Sequence, residues 1–214
     1  MLSQKIYFVA AVGTDIGKTF LVENLCRIIP NATAIKPIAS GFRDDDKNSD
    51  CAKILTALGL EISKKSLDEI SPWRFEEAAS PHFAAQNSGT KIDFVAVKNF
   101  CVEKISAAKN HDQFLFIEAA GGIMTPINDD KTFLDLAAEL KIPTLLLTAN
   151  YLGAISHTLS AVEALRSRNV MIEKIIVNEA LPTPQNKSQS IIATIKNFCT
   201  IETVSLQEFF EKLA

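Results

Sequence analysis

The sequence has few of the residues that mark a fibrous, disordered or disulfide-linked chain. Gly and Pro number only eight each, and the four cysteines form no CxxC pair, so neither a zinc site nor a redox motif is indicated. With 47% of the 214 residues hydrophobic and thirteen Phe, the composition also excludes collagen-like and disordered classes. The scattered cysteines fit a reducing compartment, and we expect a cytoplasmic protein.

Two further absences concern partners. The chain carries 22 basic and 25 acidic side chains, a net charge of -3, which supplies no basic field for nucleic acid. No apolar run approaches the ~20 residues that span a bilayer. The apolar start at 6–12 leads directly into a phosphate-binding pattern without a cleavage site, which argues against an export signal. We expect a soluble protein that binds neither nucleic acid nor membrane.

Short apolar runs alternate with helical patterns along the chain. Most of the runs are apolar on both faces, which is typical of a parallel sheet covered by helices on each side. The clearest helices are predicted at 93–109 and 132–140. No repeat or linker divides the chain, so the sequence predicts one three-layer α/β domain over 1–214. The predicted strands lie at 6–12, 32–36, 114–117, 144–148 and 175–178.

The strongest local signal follows the first predicted strand. Residues 13–19 read Gly-Thr-Asp-Ile-Gly-Lys-Thr and lead into a helix, which is the setting of a phosphate-binding loop (P-loop). Lys18 can neutralise phosphate charge and Thr19 can offer a hydroxyl to Mg²⁺. Val12 stands where the pattern GxxxxGK[ST] has its first Gly. A P-loop NTPase-type fold is predicted, with nucleotide bound by Gly13, Thr14, Asp15, Ile16, Gly17, Lys18, Thr19 and Phe20.

Other strand ends add charged candidates. Glu118 closes a predicted strand and precedes small residues at 119–122, so it qualifies as a metal ligand beside a phosphate, with a plain turn carboxylate as the alternative. Asp50 is a second candidate ligand, and a helix N-cap is its rival role. Lys36 ends the second predicted strand, at the same sheet edge as Lys18. Two lysines exceed what a nucleotide requires, which indicates a further anionic group on the substrate.

Together these segments resemble the dethiobiotin synthetase family. The deviant P-loop, the Lys-Pro turn at 36–41 and the Glu-Ala-Ala-Gly-Gly segment at 118–122 occur in the family's order. Further matching segments lie at 48–50, 80–82, 125–126, 152–153 and 177–178. The resemblance implies an ATP-dependent cyclo-ligase of biotin biosynthesis, which carboxylates 7,8-diaminononanoate with CO2 and closes a ureido ring through a phosphorylated carbamate.

The same resemblance implies roles for single residues. Lys18, Lys36 and Thr14 would act on the carbamate and the transferring phosphoryl group. Thr19, Asp50 and Glu118 would bind Mg²⁺. Asn178 would read the nucleotide base, with ATP expected and GTP left open. The substrate would contact Thr14, Lys36, Ser40, Gly121, Gly153, Ala154, Ile155 and Ser156.

The resemblance also implies a homodimer, in which the segment 153–156 of one protomer holds the substrate carboxylate in the other's site. Ala119 stands where the family usually has Gly, Ser156 where it often has Asn, and Val204-Ser205 where an Ile-Pro step is common. The match fades beyond Asn178, so the placement of the chain after about residue 181 stays open.

The alternative function is a nucleotide-controlled binding or partitioning module of the ParA/MinD type. Such a module would carry a lysine five residues before Lys18, where this chain has Gly13. Nothing assigns catalysis to the three histidines. Trp73 and the dispersed Phe residues indicate core or rim positions rather than a stacking surface. The acidic run at 44–46 is expected to be a solvated loop tip, with a role near a cation as the alternative.

Overall fold

The computed structural model describes residues 2–43, 46–179 and 188–213. Within them the strands are β1 Ile6–Ala11, β2 Ala32–Ile35, β3 Ile38–Ser40, β4 Trp73–Phe75, β5 Phe114–Glu118, β6 Thr144–Ala149, β7 Ile172–Asn178 and β8 Thr203–Ser205. Six of them form a central parallel sheet in the order β2-β5-β1-β6-β7-β8, and β3 pairs with β4 in a small parallel sheet. The predicted α/β fold with a mostly parallel sheet is confirmed.

The helices flank this sheet. Those of the described residues are α1 Lys18–Ile28, α2 Asp50–Ala57, α3 Lys64–Ile70, α4 Pro81–Asn87, α5 Phe94–Asn110, α6 Phe133–Leu140, α7 Ala154–Ser167, α8 Ser188–Phe198 and α9 Leu206–Glu211. The predicted helices at 93–109 and 132–140 are α5 and α6. Asp93 caps α5 by accepting from the N–H of Val95 at 2.8 Å, and Thr132 forms a capping box with Asp135 in α6. None of the described helices is long and apolar enough to cross a membrane.

The central strand β1 explains why the sequence folds this way. All six of its residues are buried, because it pairs with β5 on one side and β6 on the other and is covered on both faces. Tyr7 stacks on Phe116 of β5, with ring centroids 6.2 Å apart. The strand order changes direction at β1, and the carboxyl ends of these parallel strands share one edge. Ligands of such sheets bind at this switch point.

The structure corrects several local predictions. The second strand ends at Ile35 rather than at Lys36, and the residues expected to turn form β3 instead. Helix α7 begins at Ala154, two residues before the expected start at Ser156. The strands β3, β4 and β8 were not predicted. Of the acidic run, Asp44 and Asp45 lie outside the described residues, as does the chain at 180–187, whereas α8, β8 and α9 are described.

Candidate active site

The phosphate-binding loop joins β1 to α1. Asp15 and Gly17 have φ of 56° and 101°, the left-handed region, and such residues let successive N–H groups converge on an anion. A Cβ at Gly17 would lie 2.5 Å from Nδ2 of Asn178, so the position excludes larger residues. Asn178 also donates from Nδ2 to the carbonyl of Ile16 at 2.9 Å. The end of β7 therefore holds the loop in shape.

Lys18 begins α1 and is only 6% exposed. Its ammonium donates to the carbonyl of Gly13 at 3.0 Å, so it lies across the loop that it belongs to. Burial lowers the pKa of Lys18 to about 8, although the charge of Glu118 opposes that shift. An anion bound in the loop would stabilise the protonated form, since an opposite charge favours the charged lysine.

Lys36 directly follows β2, and its side chain lies between the carboxylates of Glu118, which ends β5, and Asp50, which begins α2. Its ammonium contacts Oε1 of Glu118 at 2.8 Å and Oδ2 of Asp50. Burial works against the charge of Lys36, but the two carboxylates outweigh it and hold its pKa above the usual range. The pKa of Asp50 is lowered in turn, because Lys36 outweighs the effect of burial. Lys36 is thus a fixed cation inside the protein.

Asp50 does not cap its helix. The N-cap of α2 is Ser49, whose hydroxyl accepts from the N–H of Ala52 at 3.3 Å. Asp50 is the first residue of the helix, and its carboxylate turns toward Lys36 instead. Of the two roles that the sequence left open, the cap is therefore wrong.

Three oxygen-bearing side chains meet at the same place. Thr19 donates from its hydroxyl to Oε1 of Glu118 at 2.6 Å, and Asp50 joins them through Lys36. The second oxygen of Glu118 is buried with no hydrogen-bond partner among the described residues. Hydroxyl and carboxylate oxygens are the donors that Mg²⁺ prefers, with phosphate oxygens and water completing its shell. The donor set fits this ion when a nucleotide phosphate is present.

These groups line one pocket of about 820 Å³. It brings together most of the side chains that the sequence proposed for nucleotide, metal and substrate. The predicted residues on its walls are Thr14, Asp15, Gly17, Lys18, Thr19, Phe20, Lys36, Ser40, Asp50, Glu118 and Gly121. Gly13, Ile16 and Asn178 do not line this pocket, but they take part in the hydrogen bonds that shape the loop.

The segment 153–156 does not line this pocket. Gly153, with φ of 99°, precedes α7 and has no side chain with which to cap it. The N–H of Ala154 donates to the carbonyl of Tyr151 at 3.1 Å, and its side chain is buried. A second cavity of about 450 Å³ lies between α7 and the P-loop, and Thr14 and Thr125 line both cavities.

Some pocket residues were given no role from the sequence, although 125–126 and 80–82 were among the segments that match the family. Thr125 accepts at Oγ1 from the N–H of Gly122 at 2.9 Å and lies where a Cβ on Gly121 would clash, at 2.4 Å. The resemblance included Thr125-Pro126 but gave this segment no contact in the site. Lys53 also lines the pocket, one helical turn after Asp50, and this spacing places both on one face of α2. Residues 78–81 complete the wall.

The fold and this site define a class. A P-loop at the switch point of a parallel sheet, followed by a hydroxyl and faced by two carboxylates, is the arrangement of the P-loop NTPases. Solved structures agree on the fold. A ParA family ATPase from Chlorobium tepidum TLS has a TM-score of 0.53 at 12% identity, covering 95% of this chain and 84% of that one. The MinC:MinD cell division protein complex of Aquifex aeolicus has a TM-score of 0.53 at 14% identity. The match covers 94% of this chain and 79% of that one.

Sequence relatives define the family. A family model described as an AAA domain matches residues 5–207. The ATP-dependent dethiobiotin synthetase BioD of Acidiphilium cryptum is 37% identical over 192 residues, 86% of this chain and 84% of the relative. The BioD of Phenylobacterium zucineum is 40% identical over 182 residues, which are 81% of this chain and 76% of the relative. The BioD of Legionella pneumophila strain Paris is 38% identical over 177 residues, which are 81% of this chain and 80% of the relative. The chain belongs to the dethiobiotin synthetase family.

Proposed function

We propose that this protein is an ATP-dependent dethiobiotin synthetase, which joins CO2 to 7,8-diaminononanoate and closes the ureido ring. The observation that carries the proposal is Lys36, a buried cation in addition to the P-loop Lys18, in the same pocket. A nucleotide alone needs one such lysine. A reaction in which one anion attacks another needs a second, because both charges must be held together.

The chemistry assigns a task to each group. One amine of the substrate attacks CO2 and loses a proton, which gives a carbamate anion. A carbamate oxygen then attacks the γ-phosphorus and ADP leaves. The second amine attacks the carbon of the phosphorylated carbamate, expels phosphate and loses a proton. Lys18 and Lys36 flank the carbamate and the moving phosphoryl group, and the hydroxyls of Thr14 and Ser40 orient the substrate.

Mg²⁺ is part of the proposal. Thr19, Asp50 and Glu118 would hold it, and it would neutralise phosphate charge during transfer. The buried second oxygen of Glu118 supports this assignment, since a carboxylate oxygen without a hydrogen-bond donor among the described residues is available to a cation.

One assay tests the activity. The protein is mixed with Mg·ATP, bicarbonate and 7,8-diaminononanoate, and phosphate release is measured with each carbon substrate omitted in turn. A dethiobiotin synthetase releases phosphate only when both are present, and dethiobiotin accumulates in equal amount. Slow release that ignores diaminononanoate would instead support the nucleotide-controlled binding module.

Replacing Glu118 by Gln is expected to raise the Mg²⁺ concentration needed for half-maximal turnover by on the order of tenfold. The amide has the same size but removes a charged oxygen ligand. Titration of Mg²⁺ at fixed ATP measures the shift. The surface change Glu139→Gln on α6, where the carboxylate pairs with Lys98, is the matched control. Superimposable titrations for Glu118→Gln and wild type would return Glu118 to the role of a turn carboxylate.

We further propose a homodimer with shared sites. Support comes from the first turn of α7, whose N–H groups suit a carboxylate although it does not line the pocket of Lys36. Beside it the side chain of Leu152 is 89% exposed, and Met124 at the neighbouring cavity is 56% exposed. A second protomer would cover these apolar groups and bring its α7 to the substrate tail.

Mixed dimers test the sharing. Ser156→Glu places a negative charge where the substrate carboxylate would bind, without straining the left-handed Gly153, and Ser156→Gln is its neutral control. We expect Ser156→Glu and Lys36→Ala to be inactive separately and to recover about a quarter of wild-type activity when they are unfolded and refolded together. In a mixed dimer one site carries both changes and the other carries neither. Mixed dimers that show no recovered activity would contradict shared sites.

The proposal also covers the extent of the domain, the identity of the nucleotide and the location in the cell. The whole chain, 1–214, forms one domain, which the match of the family model over 5–207 supports. The nucleotide is ATP, with GTP as the alternative. The location is cytoplasmic, which fits four cysteines that are all free.

A further inference from the structure

An aromatic pair at the rim of the pocket has no part in the chemistry proposed above. Phe20 directly follows Thr19, lines the same pocket and is 52% exposed. Its ring meets that of Phe210 from α9 nearly edge to face, with centroids 6.2 Å apart and planes inclined by 64°. Phe210 is half-buried, so it supports Phe20 from behind. An exposed aromatic ring at the mouth of a polar pocket suits a flat, partly apolar ligand group.

The strand order indicates which part of a bound nucleotide lies next to the ring of Phe20. On one side of β1 lie β5 and β2, which carry Glu118 and Lys36 at their carboxyl ends. The terminal phosphate must point to that side, because phosphoryl transfer occurs there. On the other side lie β7 and β8, and α9 with Phe210 follows β8 directly. A nucleotide whose phosphates lie in the P-loop therefore extends its base toward Phe20 and Phe210.

We propose that Phe20, supported by Phe210, stacks on the base of the bound nucleotide and supplies most of the affinity for that base. The inference rests on the proposed nucleotide-dependent function. Every nucleobase has a π-face, so stacking adds affinity without choosing between bases. The surface consequently holds adenine and guanine nucleotides about equally. The sequence placed Phe20 among the nucleotide-binding residues but did not predict the stacking surface, because Phe20 and Phe210 lie near opposite ends of the chain.

Calorimetric titration with ADP, GDP and inorganic tripolyphosphate tests the stacking. Tripolyphosphate reports on the P-loop alone, because it has no base. Phe20→Leu is expected to weaken ADP and GDP alike by about tenfold, while tripolyphosphate binding stays within twofold. Phe20→Trp is expected to restore the affinity for both nucleotides, and its added fluorescence to be quenched when ADP binds.

The matched control is Phe198→Leu. Phe198 is 67% exposed at the end of α8, just before β8 begins, so it lies at the opposite edge of the sheet and its replacement should leave all three affinities unchanged. Equal weakening of ADP and tripolyphosphate in Phe20→Leu would mean that Phe20 acts through the P-loop, and would overturn the stacking. Unchanged ADP affinity, or a lower melting temperature alone, would overturn it as well.

These titrations contain no diaminononanoate, so their outcome is independent of the synthetase activity. The wild-type protein could release phosphate with both carbon substrates and yet bind ADP no more tightly than tripolyphosphate. The base would then add no affinity, which would disprove the stacking and leave the proposed function intact. Base-dependent binding without turnover would do the reverse.

Discussion

Replacing Lys36 by Ala is expected to lower turnover by on the order of 10² to 10³, which corresponds to ~3 to 4 kcal/mol of transition-state stabilisation. Nucleotide affinity should stay within a few fold, because Lys18 and the P-loop remain. The reason is the position of the ammonium, which is buried and held by Glu118 and Asp50 where two anions would react. Single-turnover phosphate release and calorimetric ADP binding measure the two effects separately.

Lys174→Ala is the matched control for this change. Lys174 is also buried, at 6% exposure against 5% for Lys36, and it also pairs with a carboxylate, that of Glu202. It lies near the amino end of β7, away from the pocket. Lys36→Ala should lose stability because it leaves the buried carboxylate of Glu118 without its cation, whereas Lys174→Ala leaves only the half-exposed Glu202 unpaired and should lose less. A folded Lys36→Ala protein with wild-type turnover would disprove the catalytic assignment.

Gly17→Ala is expected to reduce nucleotide affinity by on the order of a hundredfold, because backbone strain and a steric clash act together. The left-handed φ of 101° disfavours any side chain, and the new Cβ would meet Nδ2 of Asn178 at 2.5 Å. Relieving the contact moves either the loop or the asparagine that ties it to β7. Calorimetric titration with ADP and with tripolyphosphate should show the same loss, since the loop itself is distorted.

Gly59→Ala separates the clash from the strain. Gly59 also has a left-handed φ, of 69°, but a Cβ there would meet no atom within 4 Å among the described residues. Its replacement should lower the free energy of unfolding by about 1 kcal/mol and leave ADP affinity unchanged. If Gly17→Ala binds ADP as tightly as Gly59→Ala does, the shape of the loop is not what holds the phosphates.

The sequence predicted the long strands well and missed the short ones for a physical reason. The five predicted strands correspond to β1, β2, β5, β6 and β7, because runs of apolar and β-branched residues mark a buried strand. Three residues do not establish a period, so β3, β4 and β8 were indistinguishable from loop. The start of α7 was placed late, because Gly153 begins this helix without a capping side chain.

The candidate site divides in the same way. Its local part, the P-loop, was readable because all its residues are contiguous. The approach of Lys36 to Glu118 depends on β2 lying beside β5, which sequence spacing does not reveal. From the sequence, Asp50 could equally be a metal ligand or a helix N-cap, and only the structure shows that Ser49 caps α2. The contact between Phe20 and Phe210 needed the position of α9.

The place of Lys36 between the two sheets has a consequence for local stability. Its N–H donates to the carbonyl of Ile70 at 3.0 Å, and the next carbonyl, that of Pro37, accepts from Trp73 at 3.2 Å. The lysine is therefore anchored to α3 and the β3-β4 sheet, whereas the P-loop is anchored to β1 and β7. A transient opening of the small sheet would displace the lysine while the loop kept its nucleotide. The amide-exchange protection of β3 and β4 is therefore expected to report the fraction of nucleotide-loaded molecules that are competent for chemistry.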